Sequence, residues 1–188
     1  MRKQVILLTA ALGLFAGTAA SAAELAGVKL ADTVSVGGKN LVLNGLGLRK
    51  KFFIKIYVGG LYLPSKETNP TAIMASDSAR RQVMHLVYSV SKDQMCDAWE
   101  EGLEANTPHA SAEVKGAFKT LCSLMEPVDK GHEIVTTYIP GSGTQVEVNG
   151  KMKGTLPGKA TADAILATWI GPDPAPGKDF KKAVLGQR

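Results

Sequence analysis

Metal chemistry has little to work with in this sequence. Its 188 residues include two cysteines and three histidines. There is no Cys-x-x-Cys pair, and His85, His109 and His132 stand at no ligand spacing to one another or to Cys96 and Cys122. Zinc is therefore a poor reading, and no metal or cofactor is expected. A nucleophile elbow is also missing, because no Gly-x-Ser-x-Gly falls between a strand and a helix. Neither cysteine has a histidine close by in sequence to serve as its base. Gly141-Ser142-Gly143 lacks the Gly-Lys-Ser/Thr ending of a phosphate loop and leads into a strand, so it reads as turn chemistry. Glu100, Glu101 and Glu104 fall on the outside of a predicted helix, where a solvated face is the ordinary explanation.

A strong charge of one sign is lacking as well. The whole chain carries +5, but two of its basic residues, Arg2 and Lys3, belong to an amino terminus with the form of a secretory signal peptide. A charged start is followed by the apolar stretch Val5 to Phe15, and small residues run from Ala19 to Ala23 before Glu24. The apolar stretch is shorter than the ~20 residues a transmembrane helix needs. Residues 1–23 are read as the removed signal, with cleavage after Ala22 or Ala23, and 24–188 as one domain of about 165 residues. Without Arg2 and Lys3, 20 basic residues face 17 acidic ones, leaving about +3. Only Arg49-Lys50-Lys51 cluster, so nucleic acid is not an expected partner. No second hydrophobic segment follows, so no stable membrane insertion is expected after cleavage, and a periplasmic or secreted location is.

The mature part reads as mixed α and β. Strand-like text runs through Val34 to Val36, Asn40 to Leu48, Phe52 to Val58 and Leu61 to Leu63, punctuated by Gly37-Gly38 and Gly59-Gly60. In the third piece Phe52, Ile54, Ile56 and Val58 share one face, and Phe53, Lys55 and Tyr57 the other. That mixed second face suits a solvated sheet surface or the wall of a ligand cleft. A helical turn at Thr71 to Ala75 and a strand from Gln82 to Val90 come next. Ser91 and Gln94 form a capping box for a helix from Lys92 to about Ala105, and Ser111 caps a second helix from Ala112 to Met125. Met95 and Trp99 fall at core spacing on the first. Strands Glu133 to Ile139, Thr144 to Val148 and Lys151 to Leu156 follow, the last two joined by Asn149-Gly150, a strong hairpin signal. Helices from Thr161 to Ile170 and Asp179 to Leu185 close the chain.

Cys96 and Cys122 are equidistant from His109, the middle of the turn between two predicted antiparallel helices, and so stand at equal height. An exported chain meets an oxidising environment, and a disulfide is expected. Two buried, unpaired thiols are the other reading.

Several segments also carry a resemblance. Asn44-Gly45-Leu46-Gly47-Leu48-Arg49, followed by the run from Phe52 to Leu63, resembles the amino-terminal signature of chalcone isomerase-like proteins. The similarity continues in the Trp99 helix, in Tyr138 to Thr144, in Val148-Asn149-Gly150 and in Leu166 to Gly171, and is greatest to the exported bacterial branch. The resemblance implies an α+β open-faced β-sandwich, a large antiparallel sheet covered on one face by helices with a ligand cleft between them.

Within that family, plant enzymes close a chalcone to a flavanone, while sister branches bind fatty acids without catalysis. The resemblance implies that Arg49 supports a ligand's negative charge, that Tyr57 accompanies it, and that Thr168 lines the cleft beside Trp169, where the enzymes have a smaller apolar residue. The enzymes' orienting tyrosine matches Tyr88, but Met95 stands seven residues later where they have asparagine. The expected function is non-catalytic binding of a fatty acid or similar small amphipathic acid. An intramolecular lyase acting on a phenolic substrate and an accessory envelope protein with an empty cleft are the alternatives. A tight hairpin at Lys50-Lys51 would put Tyr57 several residues along its strand from Arg49, about 13 Å away at about 3.4 Å per residue.

Overall fold

The computed structural model describes residues 22–187. Of the stretch read as a signal peptide, residues 1–21 lie outside the described residues. Seven strands form one antiparallel sheet in chain order: β3 (Thr33–Val36), β4 (Lys39–Lys51), β5 (Ile54–Leu63), β6 (Arg80–Leu86), β7 (Glu133–Ile139), β8 (Gly143–Val148) and β9 (Lys151–Leu156). Ahead of it, β1 (Ala22–Leu25) and β2 (Val28–Ala31) make a separate hairpin, which the sequence reading did not anticipate. Its turn is Ala26-Gly27, both residues at positive φ. A meander of this kind needs only short connections, and the helices fill its longer ones: α1 (Pro70–Ala75) between β5 and β6, α2 (Lys92–Asn106) and α3 (Ala112–Leu124) between β6 and β7, then α4 (Lys159–Ile170) and α5 (Lys178–Val184) at the end.

The sheet separates two cores. One joins all five helices to a single face, with Leu61, Leu86, Ile134 and Val146 from strands meeting Trp99, Phe118, Leu121, Ile165, Trp169 and Phe180. The other face is closed in part by the first hairpin, whose Val28 and Leu30 pack with Leu41, Val58, Tyr62 and Val83. This is the expected open-faced α+β architecture, with the hairpin as an added cover. Helix α4 is its centre, with nine of its twelve residues buried. A helix that is apolar all round must be enclosed, and α4 lies between the sheet and the α2–α3 pair. Caps fall where the side chains allow them. The Ser91 hydroxyl accepts from the Gln94 N–H while the Gln94 side chain accepts from the Ser91 N–H, and Ser111 accepts from Val114.

Four local expectations are corrected. The β4–β5 hairpin turns at Phe52-Phe53, because Lys51 pairs with Ile54. Gly59-Gly60 does not break the strand; it lies inside a continuous β5. Ile56 is the extra residue of a bulge between Arg49–Tyr57 and Lys50–Lys55, and a bulge disturbs the strict alternation of faces. Ile56 and Tyr57 accordingly both pack against the helix-side core, while Val58 belongs to the other. Strand β6 also ends at Leu86, so Tyr88 stands beyond it in an irregular segment.

Candidate ligand-binding site

The glycines of β4 and β5 shape the floor of the site. Gly47 and Gly59 are cross-strand partners, and Phe180 of α5 sits directly on them. A Cβ on Gly59 would stand 2.4 Å from Phe180 Cζ and 2.9 Å from the Trp169 ring, and one on Gly47 would stand 2.7 Å from Phe180 Cδ2. A side chain at either position would lift α5 off the sheet. The neighbouring bulge residue Asn44 ties α5 down, its amide donating to the Val184 and Glu67 carbonyls at 2.9 Å each and its Oδ1 accepting from the Glu67 N–H at 2.8 Å. Phe180, so seated, meets Trp169 edge-on at 4.9 Å between centroids and Tyr57 edge-on at 5.7 Å, while Tyr57 lies nearly parallel to Trp169 at 6.1 Å.

Above this aromatic floor two chambers open between the sheet and α2. They share a waist of Arg49, Tyr57, Met84, Met95 and Ala98. The outer chamber, about 210 Å³, runs along Ile56, Leu86 and Ile134 to a mouth at Tyr88 and Lys51. The inner one, about 70 Å³, ends against Trp99, Thr168 and Trp169. Close approach of α2 and α4 confines it, since Gly102 of α2 leaves room for Thr168, to which a Cβ there would stand 3.0 Å.

Arg49 and Tyr57 are direct cross-strand partners, which corrects the separation of about 13 Å expected from a turn at Lys50-Lys51. The turn lies two residues later, at Phe52-Phe53, and the bulge at Ile56 restores the pairing. Directly opposed residues have Cβ atoms only ~4.5–5.5 Å apart, and both side chains line the same two chambers. Among the described residues, no carboxylate comes within ion-pair distance of Arg49. Asp97 and Glu101 of α2 line the outer chamber across from Lys51, so its walls carry both signs. Burial pushes the Tyr57 phenol well above its ordinary range, while the Arg49 charge and the Trp169 indole pull it the other way. Burial wins, and Tyr57 keeps its proton.

The remaining expected site residues divide. Tyr88 stands half-exposed at the mouth. Thr168 is buried in the inner wall, but its hydroxyl donates to the Ile165 carbonyl at 2.8 Å within its own helix. Met95 fills the waist where the enzymes' asparagine was expected. Sequence reasoning placed Met95 and Trp99 in the core alone, yet both are core and cavity wall. Trp99 also holds a buried indole N–H with no partner among the described residues. Met84 and Phe180 were missed, and the only signal for Phe180 was the pair of glycines opposite its seat. Cys96 and Cys122 are joined as a disulfide between α2 and α3, their Cα atoms 5.2 Å apart.

A sequence profile of the family described as chalcone isomerase-like matches residues 22–186. The chain belongs to the chalcone isomerase-like family. Among curated proteins none matches it in sequence. Among solved structures it is similar to a fatty-acid binding protein of Arabidopsis thaliana, with a TM-score of 0.70 and 16% identity over 88% of this chain and 96% of that one. Likeness at that identity carries the fold, and the chalcone isomerase-like fold agrees with the sheet and helices described above.

Proposed function

We propose that this protein is an exported, non-catalytic member of the bacterial chalcone isomerase-like branch that binds a small amphipathic acid of fatty-acid type. The carboxylate lies against Arg49, and the apolar chain follows Ile56, Leu86 and Ile134. Arg49 carries the reading: a permanently charged planar fork, without a carboxylate partner among the described residues, stands at the waist of a cleft whose outer chamber offers Ile56, Leu86 and Ile134 to an apolar chain. Tyr57, opposite and protonated, adds a neutral O–H donor to the same head group. The fold shared with a fatty-acid binding protein supports this choice. The outer chamber, about 210 Å³, is smaller than the ~300–1,000 Å³ of typical ligand sites. A short chain fits as it stands, and a longer one requires Met84 and Met95, flexible thioethers, to swing and merge the chambers. The charged start, apolar stretch and small-residue run ahead of Glu24 support export to the periplasm or beyond.

A lyase reading finds less support. The Thr168 hydroxyl is engaged with Ile165, Met95 has no polar group to orient a substrate, and Tyr57 holds its proton too firmly to accept one. Two measurements on the mature protein decide. Displacement of a fluorescent fatty acid by unlabelled medium-chain acids supports binding, and loss of chalcone absorption should not exceed the spontaneous rate. Absence of displacement, together with no lipid in denaturing mass spectra of the purified protein, would favour an accessory envelope protein with an empty cleft. Turnover of chalcone would establish the enzyme.

A further inference from the structure

The tip of the β4–β5 hairpin presents the sequence Lys50-Lys51-Phe52-Phe53-Ile54-Lys55, and nothing in the fold covers it. Phe52 is 88% exposed, Phe53 100% and Ile54 48%. Large apolar side chains left this open are few among the described residues, and three of the five are consecutive here. Lys50, Lys51 and Lys55 surround them, all exposed and none in an ion pair among the described residues.

The turn itself resists this composition. Phe52 has φ 54°, a conformation that two-residue hairpins normally give to glycine or asparagine and that is a real outlier for a bulky residue. A phenylalanine here strains the backbone and buries nothing in the fold. Such a conflict between local preference and structure marks a position used for something other than folding.

We propose that this tip is a reversible docking device for an anionic lipid surface. Phe52, Phe53 and Ile54 enter the boundary between head groups and acyl chains, while the lysines remain among the anionic head groups. One flat apolar tip ringed by cations matches a bilayer interface in both polarity and charge. This is surface docking, not spanning: among the described residues no helix is long and apolar enough to cross a membrane. The same hairpin carries Lys51, Ile56 and Tyr57 into the outer chamber, so docking sets the cleft mouth at the lipid surface. The inference does not rest on the ligand reading.

The test is co-sedimentation of the mature protein with vesicles of equal parts phosphatidylglycerol and phosphatidylcholine, and with phosphatidylcholine alone. Wild-type protein should sediment with the anionic vesicles. Phe52→Asn/Phe53→Ser should weaken that binding by at least about ten-fold, the cost of keeping two rings in water. Lys50→Ala/Lys55→Ala should lose about five-fold per lysine. Asparagine tolerates the positive φ at position 52, so the first variant should keep the wild-type unfolding midpoint. Its binding of a soluble fluorescent acid should also be unchanged, which separates failure of docking from failure of the cleft. Equal sedimentation of wild type and the phenylalanine variant, or none by wild type, would overturn the proposal. So would a concentration-dependent dimer abolished by the same variant, because the tip would then belong to a second copy of the chain.

Discussion

Three tyrosines report how firmly single side chains are held. Tyr57 is driven above its ordinary range by burial against Trp169 and Phe180. Tyr62 is pushed to about 12, chiefly by burial. Tyr138 is also raised to about 12, by burial and by donating to Asp77 at 2.6 Å. A phenol whose folded-state value lies above its unfolded one favours folding while neutral. That contribution is whole below the unfolded value of 10.0 and is lost as pH rises through the folded one. Stability should therefore fall between about pH 10 and about pH 12. Following tyrosinate absorbance and circular dichroism together checks this. Most of the absorbance should rise with loss of the fold. Complete ionisation near pH 10 with the fold intact would show these phenols to be solvated.

Among the elements, the β4–β5 hairpin organises the rest. Its glycine pair seats Phe180, and Phe180 in turn holds Trp169 and Tyr57 in place. Gly59→Ala should cost roughly 1–3 kcal/mol, the usual penalty of overpacking, and should also weaken ligand binding; chemical denaturation and a titration measure the two. Unchanged stability would mean that α5 does not rest on this pair. At the tip the sign reverses. Phe52→Gly should leave stability unchanged or raise it by about 1 kcal/mol, since relief from positive φ exceeds the added chain entropy of glycine. A clear fall in the denaturation midpoint would show that Phe52 is not strained. This hairpin was also the least legible part of the sequence. Its turn contains no turn residue, and Gly59-Gly60 reads as a strand break, although Gly59 is there to seat Phe180, a neighbour distant in sequence. Asn149-Gly150 and the Ser91–Gln94 box were legible because the side chains that make those structures are local.

At the scale of the molecule, the order of strands and helices could be read from periodicity and caps, whereas the architecture came from the resemblance. The added cover of β1 and β2 could not be read, because each strand is only four residues long, too short for its alternation to stand out from the sequence around Ala26-Gly27. The candidate site was legible as four residue names, and only the register showed that Arg49 and Tyr57 stand side by side. The Cys96–Cys122 link closes a segment of sequence separation 26, which in the chain-entropy account contributes about 3 kcal/mol. Alkylation and intact mass of the purified protein should find no free thiol, and reduction should lower the midpoint accordingly. Two alkylated thiols would contradict it.

Titration of a fluorescent fatty acid into wild type, Arg49→Ala, Arg49→Lys and Lys50→Ala measures whether Arg49 holds the ligand's charge. Arg49→Ala should fold normally and bind more weakly by about 2–5 kcal/mol, the usual cost of losing one partner of a buried charge pair. Arg49→Lys should recover part of that, keeping the charge without the fork, and Lys50→Ala should match wild type. Equal affinity across all four proteins would contradict the account, leaving Arg49 as surface charge beside an unused cleft.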